Sequence, residues 1–420
     1  MRIDPENFLI GLFETAVAAV SPDRCMESHW PREPSGRTAI IACGKAAFPM
    51  AEAASRRYGA DCHGIVIAPQ GYTRQSSIPS WFEIMAASHP VPDRRSLQAA
   101  VKSLQLARDI GTDDLLLFLV SGGGSSLMCL PSDGLSLEEK RKLNRQLLAS
   151  GASISQINCI RKHLSKVKGG RLATACDARV VTLAVSDVPG NDPSLIASGP
   201  TLEDPTSLAD ANAIVEDLAI DPGPGITEAL QNPANETPAF DQQRRADRYH
   251  IVASGRLALE AAAGRCRQQG IEAQVLGDHL EGEASALARE HARMALELAA
   301  SGQSLCLLSG GETTVRLSSP SGRGGRNTEY ALAMAVELEG HAKIWALAAD
   351  TDGIDGTGGH SGAVIGPATL SNGQAIGLDA KAFLQSHDSA TYFEAAGRLI
   401  SVGPTHTNVN DFRALLINPE

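Results

Sequence analysis

Leu115–Ser126 reads LLLFLVSGGGSS. Its first half, Leu115–Val120, is an uninterrupted apolar run of strand length, which predicts a strand buried on both faces. The second half, Ser121-Gly122-Gly123-Gly124-Ser125-Ser126, is a glycine turn with small hydroxyl residues. A strand that ends this way leaves a row of backbone N–H groups unpaired, and a following helix adds its positive N-terminal end, so the turn is a seat for an anion such as phosphate. Leu307–Thr314, LLSGGETT, reads alike, with Ser309-Gly310-Gly311 as the turn. Two such turns suggest a site assembled from two halves of the chain. Neither has the G-x-x-x-x-G-K-[ST] spacing of a P-loop, and no strand leads into the dinucleotide fingerprint G-x-G-x-x-G.

Working outward, short apolar runs alternate with helical patterns. The strands expected include Thr38–Cys43, Val180–Val185, Ser304–Leu308 and Lys343–Ala349, and Arg95–Ile110 carries Leu97, Val101 and Leu104 at helical spacing. This alternation predicts an α/β fold, with helical layers around mostly parallel sheets. The proline-rich, weakly periodic stretch Asp221–Asp247 reads as the domain junction, giving domains 1–240 and 241–420. The N-terminal segment, with Asp4 and Glu6 early and Glu14 interrupting its apolar residues, reads better as an amphipathic helix than as a signal peptide; which domain it packs on is left open. Nearly every strand ends in small or polar residues, such as ACGKAA, VSDVPG and AADTDGIDG. In open α/β sheets ligands bind at these carboxyl ends.

Composition narrows the function. A net charge of −11 and 4% aromatic residues argue against a nucleic-acid partner, which needs a basic face or stacking rings. No apolar run is long enough to span a membrane. The eight cysteines form no C-x-x-C pair and several lie in apolar runs, so they are expected as reduced core residues. A cytoplasmic protein acting on small molecules is the expectation, as monomer or homodimer.

The charged residues beside the strand ends carry the chemistry. Lys45 follows Gly44 at the start of a helix, where a cation is disfavoured unless an anion is present. Arg326, in GGRNTE ahead of a helix expected at Tyr330–Leu338, poses the same problem, and a guanidinium can clamp a carboxylate or phosphate through two parallel hydrogen bonds. Asp187, after Val180–Val185, suits a base on a hydroxyl or a Mg²⁺ ligand. Asp350 and Asp352 in ADTDGIDG resemble a Ca²⁺ loop but lack its distal glutamate and follow a strand, which fits Mg²⁺ on phosphate better. The basic run Arg161-Lys162-His163 through Lys166, Lys168 and Arg171 reads as the solvated face of a helix, or as a guide for an anion.

Six segments together, SGGGSSLM, INCIRKHLSKVKGGRLA, SDVPGNDPSLIASGPT, GGRNTEYAL, AADTDGIDGTG and VGPTHTNVND, resemble the class II glycerate kinases with a C-terminal MOFRL domain. The resemblance spans nearly the whole chain. It implies two α/β domains flanking a cleft, the N-terminal one a Rossmann-like three-layer sandwich. It also implies ATP-dependent phosphorylation of D-glycerate at O2, with ATP and Mg²⁺ as cofactors and Lys45 and Arg326 as the active-site pair. Some members carry an older label, hydroxypyruvate reductase. An NAD(P)H-dependent reductase is therefore the alternative, and it predicts the dinucleotide fingerprint that this sequence lacks. A non-catalytic sugar-acid or nucleotide sensor is a third reading, which predicts binding without turnover.

Overall fold

The computed structural model describes residues 3–72, 78–240, 249–317, 322–357 and 359–419. The chain forms two compact units, Cys25–Val252 and Met1–Arg24 together with Ala253–Glu420. Residues 241–247 of the expected junction lie outside the described residues. The part before them is more ordered in kind than a linker: it holds a helix, Pro224–Gln231, whose Ile226, Ala229 and Leu230 join an apolar cluster with Leu143, Leu147 and Ile160.

The first unit is built on six strands: β1 (Thr38–Cys43), β2 (Cys62–Pro69), β3 (Phe82–Ala87), β4 (Leu115–Val120), β5 (Arg179–Val185) and β6 (Tyr249–Ala253). Their order is β3-β2-β1-β4-β5-β6, with β1 to β5 running parallel. This is the Rossmann order, reversing direction between β1 and β4. β1 and β4 are buried along their whole length, as strands covered by layers on both faces must be. One covering helix is Arg94–Arg108, started by an Asp93–Ser96 capping box. Its buried face is not the expected Leu97–Val101–Leu104 stripe. Val101 is exposed, and Ser96, Ala99, Ala100, Ser103, Leu104 and Ala107 face inward, because small side chains let a helix lie close on a sheet.

The second unit corrects the expectation of mostly parallel sheets. Its strands are β7 (Glu272–Gly277), β8 (Gly282–Glu283), β9 (Leu305–Gly311), β10 (Thr313–Thr314), β11 (Ile344–Asp350), β12 (Gly362–Ile365), β13 (Leu399–Ile400) and β14 (Asp411–Ile417). The main sheet runs β13-β12-β11-β14-β9-β7, and every pair but β7–β9 is antiparallel. The inserted strand β14 separates β9 from β11 and turns both neighbours antiparallel. The amphipathic N-terminal helix forms at Pro5–Ala19, capped by Asp4, and belongs to this unit. It buries Phe8, Leu9, Leu12 and Phe13, with Phe13 against Phe412 at 5.9 Å between ring centroids. All eight cysteines are free and buried. No described helix is long and apolar enough to cross a membrane.

Candidate active site

In the Cys25–Val252 unit the loops after the parallel strands share one edge, and the glycine loop and the lysine fall on β4 and β1, the two strands at the reversal. Ligands bind at such a switch point. Ser121–Ser126 leaves β4 and enters a single helical turn, Gly124–Leu127. The loop is tied to β1: the Lys45 amide donates to the Gly122 carbonyl at 2.9 Å, and the Ala46 amide to Ser121 Oγ at 2.9 Å. Gly44 permits the contact. It has φ +129, and a Cβ there would lie 2.6 Å from the Ser121 carbonyl oxygen. The helix behind Lys45 begins at Ala47 with no side-chain cap. His89, from the loop after β3, lies against Gly123, and burial together with the Lys45 charge lowers its pKa. Asp187 follows β5 and is partly exposed. Gly44, Lys45, Ser121–Ser126 and Asp187 are thus all residues of one sheet edge.

The basic run from Arg161 is not a solvated face. Lys162, His163 and Lys168 are buried, and Lys162 pairs with buried Asp204 at 3.2 Å. Arg171 donates to the carbonyls of Lys162, Asn235 and Glu236. Helical spacing misled because the helix stops at His163 and the rest of the run threads a buried loop.

The second unit gathers a different set. Arg326 is itself the first residue of its helix, Arg326–Leu338, four positions before the expected start. Its guanidinium donates to Asp411 Oδ1 at 2.7 Å, Asp350 Oδ2 at 2.8 Å and Glu312 Oε1 at 2.7 Å. Burial alone would weaken the cation, but these carboxylates reverse that and hold it firmly protonated. The anion that a cation at a helix start requires is therefore supplied inside the unit. The helix amides are answered too: Asn327 and Thr328 N–H both donate to Asp355 at 2.9 Å, an N-cap brought from another segment because Gly325 has no side chain to offer.

Asp411 would be raised by burial, yet Arg413 and Arg326 bring it below the ordinary range. Asp350 moves the other way, driven by burial and then by Asp352. Its oxygens are engaged by Arg326 and by the Asp352 amide at 3.0 Å, and Asp352 accepts from the Ile354 amide at 2.9 Å. Among the described residues no three His, Cys, Asp or Glu side chains converge as a metal site. Asp350 and Asp352 as arranged do not fit a protein-built cage for Mg²⁺.

Ser309-Gly310-Gly311 does not form the expected anion turn. All three lie inside β9, paired with Arg413, Phe412 and Asp411 of β14, and no helix follows. The resemblance to the first loop was of letters only: here the glycines end β9, and the chain turns at Gly311 (φ +115) into β10, which pairs with β8. Asp411, Glu312 and Asn327 escaped the sequence reading, although Asp411 ends the quoted VGPTHTNVND segment. Asp411 is remote from the other two in sequence; the pairing of β14 with β9 brings it beside Glu312, and the helix start at Arg326 brings Asn327 to it.

Comparison with known proteins agrees with this architecture. Residues 8–231 match the family described as a domain of unknown function, DUF4147, and residues 305–411 match the MOFRL family. The D-glycerate 2-kinase of Thermotoga maritima is 36% identical, with 97% of this chain and 98% of that protein covered. A protein of Agrobacterium vitis, provisionally named a hydroxypyruvate reductase, is 46% identical, with 99% of this chain and 95% of that protein covered. The crystal structure of the Thermotoga maritima glycerate kinase superposes with a TM-score of 0.90 at 36% identity, covering 98% of this chain and 99% of that one. The chain belongs to the glycerate kinase family that joins a DUF4147 domain to a MOFRL domain.

Proposed function

We propose that this protein transfers the γ-phosphoryl group of ATP to O2 of D-glycerate, giving 2-phospho-D-glycerate. The observation that carries the reading is the placing of Lys45 and the Ser121–Ser126 loop on adjacent strands at the sheet's reversal, in a chain related over its length to a D-glycerate 2-kinase. Phosphoryl transfer asks mainly for positioning and charge stabilisation. Loop amides and the hydroxyls of Ser125 and Ser126 would hold phosphate oxygens, while Lys45 neutralises charge on the transferred group. Asp187, at the end of β5, would orient or deprotonate the attacking hydroxyl.

Arg326 supports catalysis in a narrower sense than a bare clamp. Two of its arms hold buried Asp350 and Asp411, and the arm to Glu312 is the exposed one. Contact with a substrate anion would use that arm. Mg²⁺ would arrive on the nucleotide phosphates, as it commonly does when few protein ligands are offered. Ser309–Gly311 would contribute through backbone shape, not as an anion turn.

The name borne by the Agrobacterium vitis relative favours a reductase. Against it, β1 leads into Cys43-Gly44-Lys45-Ala46-Ala47, with one glycine where a dinucleotide fold places three. The test is incubation with D-glycerate, ATP and Mg²⁺, following ADP and identifying the product by phosphorus NMR. The 2-phosphate is expected; the 3-phosphate would overturn the position, and NADH oxidation with hydroxypyruvate but no ADP would overturn the kinase.

A further inference from the structure

Beside the Ser121–Ser126 loop lies a cavity of about 360 Å³, bounded by Gly123, Ser125 and Ser126 and by the helices Leu137–Ala149 and Ile154–His163. Lys140, Arg161 and Lys168 line it, and their partners are unusual. Lys140 Nζ donates to the Leu164 carbonyl at 2.6 Å. Lys168 Nζ donates to the carbonyl and Oγ of Ser125 at 2.8 and 2.9 Å. Arg161 Nε donates to the side-chain oxygen of Asn144 at 2.9 Å. Every acceptor is neutral, and among the described residues none of the three bonds a carboxylate. Carboxylates are in reach of the same segment, since Lys162 has Asp204 and Lys166 has Asp133.

Three like charges, two of them on buried lysines, with only neutral acceptors are strongly unfavourable unless something anionic enters. Burial pushes Lys140 down to about 8 and Lys168 to about 7; Cys129 pulls both back upward, and the neighbouring cations lower them further. The cavity exceeds the needs of one carboxylate and falls in the range of small-molecule sites. Leu143, Leu147 and Leu164 give it an apolar wall for an uncharged part of the same ligand.

We infer that this cavity seats the phosphate chain of the donor nucleotide, held by Lys140, Arg161 and Lys168 beside the glycine loop. The nucleotide's identity rests on the kinase reading; the anion seat does not. Lys168 also bonds Ser125, so it positions the loop against the ligand it binds.

Calorimetric titration of the full chain with inorganic tripolyphosphate, ADP and D-glycerate tests this. Tripolyphosphate and ADP should bind the wild type, and Lys168→Met and Lys140→Met should each weaken both at least tenfold while D-glycerate affinity stays unchanged. Lys168→Arg should recover part of the loss. Both Met variants remove a buried charge without a carboxylate, so they should unfold at or above the wild-type temperature. Arg161→Gln, at a less buried position, gives a further variant with the same expected loss if a Met variant does not fold. Unchanged tripolyphosphate affinity in the variants, no binding to the wild type, or loss of glycerate affinity in place of nucleotide affinity would overturn the assignment. Product analysis separates the two readings. Phosphoglycerate formation with unaltered tripolyphosphate binding in the variants sinks the seat and leaves the kinase. Tripolyphosphate binding lost in the variants, with no phosphoglycerate from the wild type, sinks the kinase and leaves the seat.

Discussion

The two units treat positive charge in opposite ways. Around Arg326 one guanidinium is met by Glu312, Asp350 and Asp411, with Arg413 on the far side of Asp411. Around the glycine loop, Lys140, Arg161 and Lys168 are met by carbonyl, hydroxyl and amide oxygens alone. The first cluster neutralises itself and so contributes to the folded state whatever is bound. The second is left with surplus charge, and it is complete only with an anion from outside. Pairing, more than the number of cations, separates a cluster that holds a fold together from one that waits for a ligand.

The largest effect should come from breaking the self-neutralised side. Arg326→Ala leaves Asp350 and Asp411 buried without that partner, and loss of one member of a buried pair costs about 3–5 kcal/mol. Urea unfolding should register it even with substrate absent; a variant as stable as wild type would mean that Arg326 serves ligand alone. Lys45→Ala tests the open side. It should lower kcat by about 10²–10³, as removal of one electrostatic donor does, with an unfolding midpoint near that of the wild type. Near-normal turnover would remove Lys45 from the mechanism.

A smaller effect is the pH dependence of stability. The unfolded chain keeps a lysine protonated to its ordinary 10.5, whereas buried Lys168 sheds its proton at about 7. Between those values the unfolded state binds more protons, so stability rises with pH, by up to about 1.4 kcal/mol per unit for one such group. Lys168→Met should flatten that rise in unfolding curves taken from pH 7 to 10, and an unaltered slope would show Lys168 to be well solvated. Least of all should come from Glu312→Gln, which removes the exposed arm on Arg326. Exposed ion pairs contribute below about 1 kcal/mol, so a larger loss of stability would place Glu312 among the structural anions.

Much of the first unit was legible. Its central strands β1 and β4 are almost wholly apolar runs, and their polar ends announced Lys45 and the Ser121–Ser126 loop at one sheet edge. β14 was missed because Asp411 and Arg413 interrupt DFRALLI. Both are buried and bonded to each other, so a pair of charges stands within an interior strand of the second sheet. The likeness of LVSGGGSS to LLSGGETT likewise concealed that the glycines of one form a loop after their strand and those of the other lie within β9.

By itself the sequence determined what short-range physics decides: that strands and helices alternate, where many of them lie, which loops can bend sharply, and which charged residues stand beside them. Tertiary structure alone decided which charges meet. Glu312, Asp350 and Asp411 reach Arg326 from separate strands and loops, while the segment that supplies Lys168 brings no carboxylate into the cavity. Charge pairing depends on distance and burial in space, and neither can be read from spacing along the chain once the partners lie on different elements.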